Sequence, residues 1–359
     1  MIATTVAILL AAAAPPSCQP VGRTATEIVP SALPGPSTGR FGLRNVADVP
    51  LSGPSVRFDD QSLDTVTDRL YLAHGDANQL VVVDVRGQRV VTTLDGFIKV
   101  HAVWAAVELG RVYAPLSGRG EVAVLDEQSL TVLARIKPVD SADAVTYAPT
   151  ARRVFVTQAH AGMATAIDVF NNEVSATVTL GGQPSDAVYD PVTACVLVTL
   201  INTGEVVVIS PETDSVIARY PLTGIARPAA IAVDAPRRLA FIVGYGNAKL
   251  AVVDLGSMRV VNTYPVEAAP SGLALDPSWG RVYVTSESGT VSVFTETAGG
   301  GLSHDGDAII PHAHSVAVDP RTHLVYLPLE DVDGRPVLRI IATTPPGGLA
   351  TMAPPSGAH

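Results

Sequence analysis

The sequence predicts an all-β fold, a seven-bladed β-propeller with four antiparallel strands in each blade, and three observations predict it. The stretch Arg281-Val-Tyr-Val-Thr-Ser-Glu-Ser-Gly-Thr-Val-Ser-Val-Phe294 reads as two β-branched runs joined by a polar turn, and the chain rewrites it seven times. The centre of its first run recurs at Tyr71, Tyr113, Phe155, Leu197, Phe241, Tyr283 and Tyr326, with spacings of 42, 42, 42, 44, 42 and 43. A period near 42 matches one propeller blade, for which repeats of about 40–45 residues are usual. The runs alternate with period two and are rich in Val, Ile, Thr and Tyr, which excludes a helical solenoid. A two-sheet sandwich would not require equal spacing.

Within one unit, Gly272-Leu-Ala-Leu-Asp276-Pro277 reads as an inner strand closed by a turn, Arg281 to Thr285 as the second strand and Thr290 to Phe294 as the third. Runs such as Glu173 to Leu180 and Arg259 to Tyr264 supply the outer strand. The seventh unit has a third strand at Pro336 to Ile341 but no fourth. Asn45 to Leu51 has the shape of that missing outer strand, so the N-terminal strand is expected to complete the last blade and remove an open edge. The recurring Asp84, Asp126, Asp168 and Asp254 read as turn formers at strand ends.

The chain accordingly divides into an export signal at 1–18, a linker at 19–44, the propeller at 45–343 and a tail at 344–359. Val6 to Ala14 is an apolar run followed by small residues near Ala12 to Ala14, too short to span a bilayer, though no Lys or Arg precedes it. This points to an extracytoplasmic location, periplasmic or secreted. Pro15 and Pro16 fit a lipid-anchoring signal poorly, so Cys18 reads as a leader residue, and Cys195 as a small buried hydrophobe within a strand. With two cysteines so placed, no disulfide framework is expected.

These repeats resemble the YVTN-repeat β-propeller family. The resemblance rests on Arg281-Val-Tyr-Val-Thr285, Leu250-Ala-Val-Val-Asp254, Arg259 to Tyr264 and Gly181-Gly-Gln-Pro-Ser185, and covers roughly Asn45 to Thr343. The Asn that follows the family's Thr is replaced by Gln158, Leu200 or Ser286. Members are mostly exported, seven-bladed and diverse in function, so the resemblance implies location better than activity.

Repeat alignment places Asp59, His101, Asp143, Ser185, Ala229, Ser271 and His314 at the mouth of the channel, where each inner strand begins. Four neighbouring blades thus offer His and Asp while three offer small neutral groups. Asp59, His101, Asp143 and His314 are therefore candidate ligands for a divalent metal ion. His74, His160 and His312 are expected on the same face as ligand-binding residues, as is Trp104, which could instead pack between blades. An acid/base pair without metal, or a purely structural channel lining bonded to backbone and water, are the other readings of this ring. His323 is expected on the opposite face.

A net charge of −10 with no basic cluster excludes nucleic acid as a partner class. Gly299-Gly-Gly301 lacks a following helix, which leaves no nucleotide cofactor site. Two functions fit: an exported propeller that binds a small molecule, metal ion or protein on its His/Asp face, or a metal-dependent lyase or hydrolase of the lactone-opening sort using the same face.

Overall fold

A computed structural model describes Cys18 and residues 42–137 and 139–346. The remaining parts of the expected export signal, linker and tail lie outside the described residues. Seven sheets of four antiparallel strands succeed one another along the chain. Blade 4 is typical, with strands Pro184–Asp190, Cys195–Leu200, Glu205–Ser210 and Ser215–Pro221 paired in order from the inner to the outer strand. Blades 1 to 7 have second strands Arg69–His74, Arg111–Leu116, Arg153–Gln158, Cys195–Leu200, Leu239–Gly244, Arg281–Ser286 and Leu324–Val332. Among the described residues only three-residue 3-10 turns interrupt this all-β pattern. No helix of the described residues is long and apolar enough to cross a membrane.

The ring closes as expected. Blade 7 takes its outer strand, Leu43–Pro50, from the start of the propeller, and pairs it with Arg335–Thr343. Arg339 fixes the register by bonding both carboxylate oxygens of Asp48 at 2.8 and 2.6 Å.

Alternation along each strand sends one face of the sheet toward each neighbouring blade, and the apolar side chains form one cluster at every junction. Tyr71, Leu80 and Val82 of blade 1 meet Val112, Ala114 and Leu125 of blade 2. Across the closure, Val49, Tyr326 and Leu338 meet Leu70, Leu72 and Val81. Trp104 belongs to this packing, half-buried against the cluster between blades 2 and 3.

The turns on the face opposite the channel mouth are held by carboxylates. Asp84, Asp126, Asp168 and Asp254 accept backbone N–H bonds at 2.7, 2.7, 2.8 and 2.6 Å, the turn-forming role expected of them. On this face an arginine also joins every pair of neighbouring blades. Arg69 donates to the Glu127 carbonyl and Arg111 to the Val169 carbonyl. Arg153 lies 3.9 Å from Asp214, Arg238 lies 2.8 Å from Asp190, and Arg237 donates to the Pro277 carbonyl at 3.1 Å. Arg281 donates to the Thr343 hydroxyl at 3.2 Å, and Arg321 reaches Asp68 at 2.5 Å to complete the circle.

The cysteines overturn an expectation. Cys18 and Cys195 form a disulfide, with their Cα atoms 5.0 Å apart. Cys195 is buried as expected, but it opens the second strand of blade 4 at the position where blades 1, 2, 3 and 6 carry Arg69, Arg111, Arg153 and Arg281. Its side chain therefore stands at the turn face, within reach of a residue that the sequence had placed outside the fold. Such a bond persists in oxidising compartments, which is consistent with an extracytoplasmic location.

Two buried acid pairs sit in this latch layer. Thr67 bonds both Asp64 and Glu127, bringing the two carboxyls together between blades 1 and 2. Burial and the adjacent Asp64 push the Glu127 pKa up to about 7. Glu296 beside Asp234, between blades 5 and 6, is raised for the same reasons.

Two expectations follow. Cys195→Ser should lower unfolding stability by about 2–5 kcal/mol, and reductant should bring the wild type to the same midpoint; equal urea midpoints with and without reductant would exclude the bond. A carboxyl with a raised folded pKa stabilises most when protonated, so the Glu127 contribution is lost as pH rises from about 4.5 to about 7. Thermal melts of Glu127→Gln should therefore gain on wild type by more at pH 8 than at pH 4.5, and a constant difference would contradict the assignment.

Candidate functional site at the channel mouth

The inner strands do not pair evenly at their start. Register shifts fall between Ala142 and Val145, Pro184 and Ala187, and Pro228 and Ile231. Two consecutive residues in each bulge leave the ladder and turn toward the channel. The freed backbone is rebonded by the Thr of the repeat: Thr157 accepts from Ala144 N at 2.9 Å and Thr199 from Asp186 N at 3.1 Å. Thr199 and Thr285 also donate to the Ala229 and His314 carbonyls of the next blade, at 2.7 and 2.8 Å. Thr199 thus positions the mouth residues of two blades.

The result is a cavity of about 440 Å³. Asp59, His101, Asp143, Ser185, Ala229, Ser271 and His314 all line it, so every residue of the expected ring reaches one space. So does the residue after each, and here sequence reasoning missed two carboxyls, Asp60 and Asp186. Four further lining residues were also missed: Tyr245 and Glu287, four residues beyond the second-strand aromatic, and Arg57 and Arg227, two residues before the mouth residue. In blade 7 the same two levels carry Glu330, also missed, and the expected His312, both just outside the lining. The same repeat alignment contains these positions, but beyond the ring only histidines and Trp104 were read from it.

The four expected metal ligands share the cavity but divide into two groups. On one side His101 Nδ1 lies 3.7 Å from Asp59. Asp59 beside it raises the His101 pKa against the effect of burial. Burial pushes the nearby Asp143 up to about 6, with His101 opposing. Asp186 accepts from Ile231 N and Ala187 N at 2.9 and 2.8 Å, yet burial still raises it to about 6. Asp60 is reachable by water from the channel but ringed by protein, and that enclosure, together with Asp186, pushes it up to about 8.

On the other side, His314 Nδ1 lies 3.1 Å from Glu287, and Arg57 holds the other Glu287 oxygen at 2.8 Å. His314 at this distance, with Arg57 beside it, holds the Glu287 carboxyl down at about 2. His314 Nε2 faces Glu330 at 3.9 Å, and His312 Nδ1 lies 2.6 Å from the same oxygen. His312, His314 and Glu330 place one ligand atom each within 4.8 Å of one another. Among the described residues, Asp59, His101 and Asp143 do not meet that limit.

The other candidates lie elsewhere. His74 is fully buried rather than at the cavity, stacked on Phe58 with centroids 3.9 Å apart and with Nε2 3.2 Å from the Val56 carbonyl. Burial pulls its pKa down. The Gly53–Phe58 segment folds over it, a cover that repeat alignment does not show. His160 is exposed on the rim near Asp143, outside the cavity lining. His323 is on the opposite face, stacked on Trp279 and 2.6 Å from Asp276.

No protein-family model matches the chain, and no curated protein matches it in sequence. Solved structures do. Kuenenia stuttgartiensis hydrazine synthase aligns with a TM-score of 0.64 at 14% identity over 83% of this chain and 97% of that one. Virginiamycin B lyase from Staphylococcus aureus gives 0.68 at 12% over 84% and 99%. The RRP9 WD40 repeats give 0.72 at 12% over 85% and 100%. At these identities the likeness establishes the propeller class, while the YVTN-repeat resemblance rests on the sequence motifs.

Because Asp59 raises the His101 pKa, Asp59→Asn should lower it. Proton NMR of the imidazole signals reads this directly, and an unmoved His101 titration would show that the pair does not interact.

Proposed function

We propose that the protein is an extracytoplasmic propeller that binds a divalent metal ion and, through it, a small molecule at the channel mouth. The observation that carries this reading is the His312, His314 and Glu330 trio. Two imidazoles and a carboxylate are a donor set suited to zinc or manganese with positions left open for ligand or water. Glu287, 3.1 Å from His314 Nδ1 and held in turn by Arg57, stands where a supporting carboxylate would turn Nε2 toward the ion. Such supporting carboxylates orient metal-bound histidines. Asp59, His101 and Asp143 then form the facing wall of the ligand space rather than the ion's own shell.

A second reading is favoured by one observation, the raised carboxyls Asp60 and Asp143 across the mouth. A metal that polarises a carbonyl opposite a carboxyl able to take or give a proton near neutral pH is the arrangement a lyase or lactone hydrolase needs. Of the solved propellers similar in fold, one is a streptogramin B lyase by name and another a virginiamycin B lyase.

Calorimetry with Mn²⁺ and Zn²⁺ should find one site per chain. His314→Ala and Glu330→Gln should each weaken it at least about tenfold, or about 1.4 kcal/mol, while Ser185→Ala leaves it unchanged. Affinity should fall in acid, where protons compete for imidazole. No metal site in wild type, or one that survives His314→Ala, refutes the metal reading. Metal-dependent lactone opening that is lost in Asp60→Asn would decide for the enzyme.

A further inference from the structure

The blade 5 side of the mouth presents a cation with no acidic partner. Arg227 lines the cavity from two residues ahead of Ala229, at a left-handed φ of 50°. The other arginine of the lining, Arg57, is neutralised by Glu287 at 2.8 Å. Among the described residues no carboxylate pairs with Arg227. Its guanidinium instead lies over the Tyr245 ring, 5.0 Å from the centroid.

The loop that carries it is stapled in place. Asn247 accepts from Ala226 N at 3.1 Å and donates to the Gly224 carbonyl at 2.9 Å. Tyr245 N bonds the Arg227 carbonyl at 3.0 Å. Gly246 lies close beneath, where an added Cβ would stand 3.0 Å from Arg227 Cγ. The neighbouring mouth residues are Ser185, Ala229 and Ser271, too short to cover the guanidinium.

A guanidinium placed over a ring face keeps its donor edge free, and that planar edge can bind a carboxylate through two parallel hydrogen bonds. The remaining wall holds three carboxyls, Asp60, Asp143 and Asp186, which exchange hydrogen bonds with hydroxyls and disfavour an anion wherever they are ionised. An acid-bearing ligand is thereby oriented with its carboxylate toward blade 5.

We propose that Arg227 and Tyr245 form the carboxylate-binding end of the mouth and that its small molecule is a hydroxylated carboxylate, with hydroxyl groups on the Asp60, Asp143 and Asp186 wall. This rests on reading the mouth as a small-molecule site but not on the metal. The volume of about 440 Å³ suits a ligand the size of a sugar acid.

The test uses acid and amide pairs of one shape, glucuronate against glucuronamide and lactate against lactamide, titrated into the Mn²⁺-treated full chain. At least one acid should bind about tenfold or more tightly than its amide. Arg227→Gln should abolish that preference with thermal melting and Mn²⁺ affinity unchanged, and Arg227→Lys should restore part of it. Acid and amide binding alike, no binding of any of the four, or a preference that persists in Arg227→Gln overturns the proposal. A preference that persists in His314→Ala, or in wild type that takes up no Mn²⁺, supports it while the metal reading falls separately.

Discussion

The structure depends on contacts from guanidinium groups to turns that run round the whole face opposite the mouth. Apolar clusters between blades supply most of the burial, but hydrophobic contact is non-directional and does not by itself fix the angle between neighbouring sheets. A planar group with five donors does. Arg69, Arg111, Arg153, Arg238, Arg237, Arg281 and Arg321 each reach from their own blade to a carbonyl, hydroxyl or carboxylate on an adjacent one. The preponderance of arginine over lysine in this chain, whose lysines are Lys99, Lys137 and Lys249, therefore has a structural use. Where blade 4 lacks the arginine, Cys195 places a covalent bond instead.

With that face fixed, the mouth is free to vary. In blades 3 and 4 its residues stand in bulges whose backbone is satisfied by Thr157 and Thr199, so the side chains at these positions owe nothing to the sheet. One half of the ring carries Asp59, Asp60, His101, Asp143 and Asp186 while the other carries Arg227 and a histidine pair. The raised carboxyls follow from crowding acids into one enclosed space. The depressed Glu287 follows from placing it between a histidine and an arginine.

Fold and closure were legible in the sequence because a repeat of 42 residues leaves little freedom: equal spacing, a missing strand at one end and a surplus strand at the other admit few arrangements. The seven mouth residues were legible for the same reason, being one register position read seven times. Asp60 and Asp186 were missed because alternation predicts that only every second residue faces the channel, and a bulge breaks alternation. His74 was misplaced because the segment covering it belongs to no repeat. The disulfide was invisible because Cys18 precedes every repeat, and its distance from Cys195 is a matter of folding rather than spacing.

The shared last blade also sets an order of events. The strand Leu43–Pro50 leaves the ribosome first among the strands, yet its partner Arg335–Thr343 is made almost a full chain later. Until then its hydrogen-bonding edge and the apolar flank containing Val49 have no mate, and blades 1 to 6 can stack only as an open arc. The circle therefore forms in one late step that needs the end of the chain. A chain interrupted anywhere before that strand remains an arc with two unpaired ends, a form that quality control in the cell can recognise by its exposed edges.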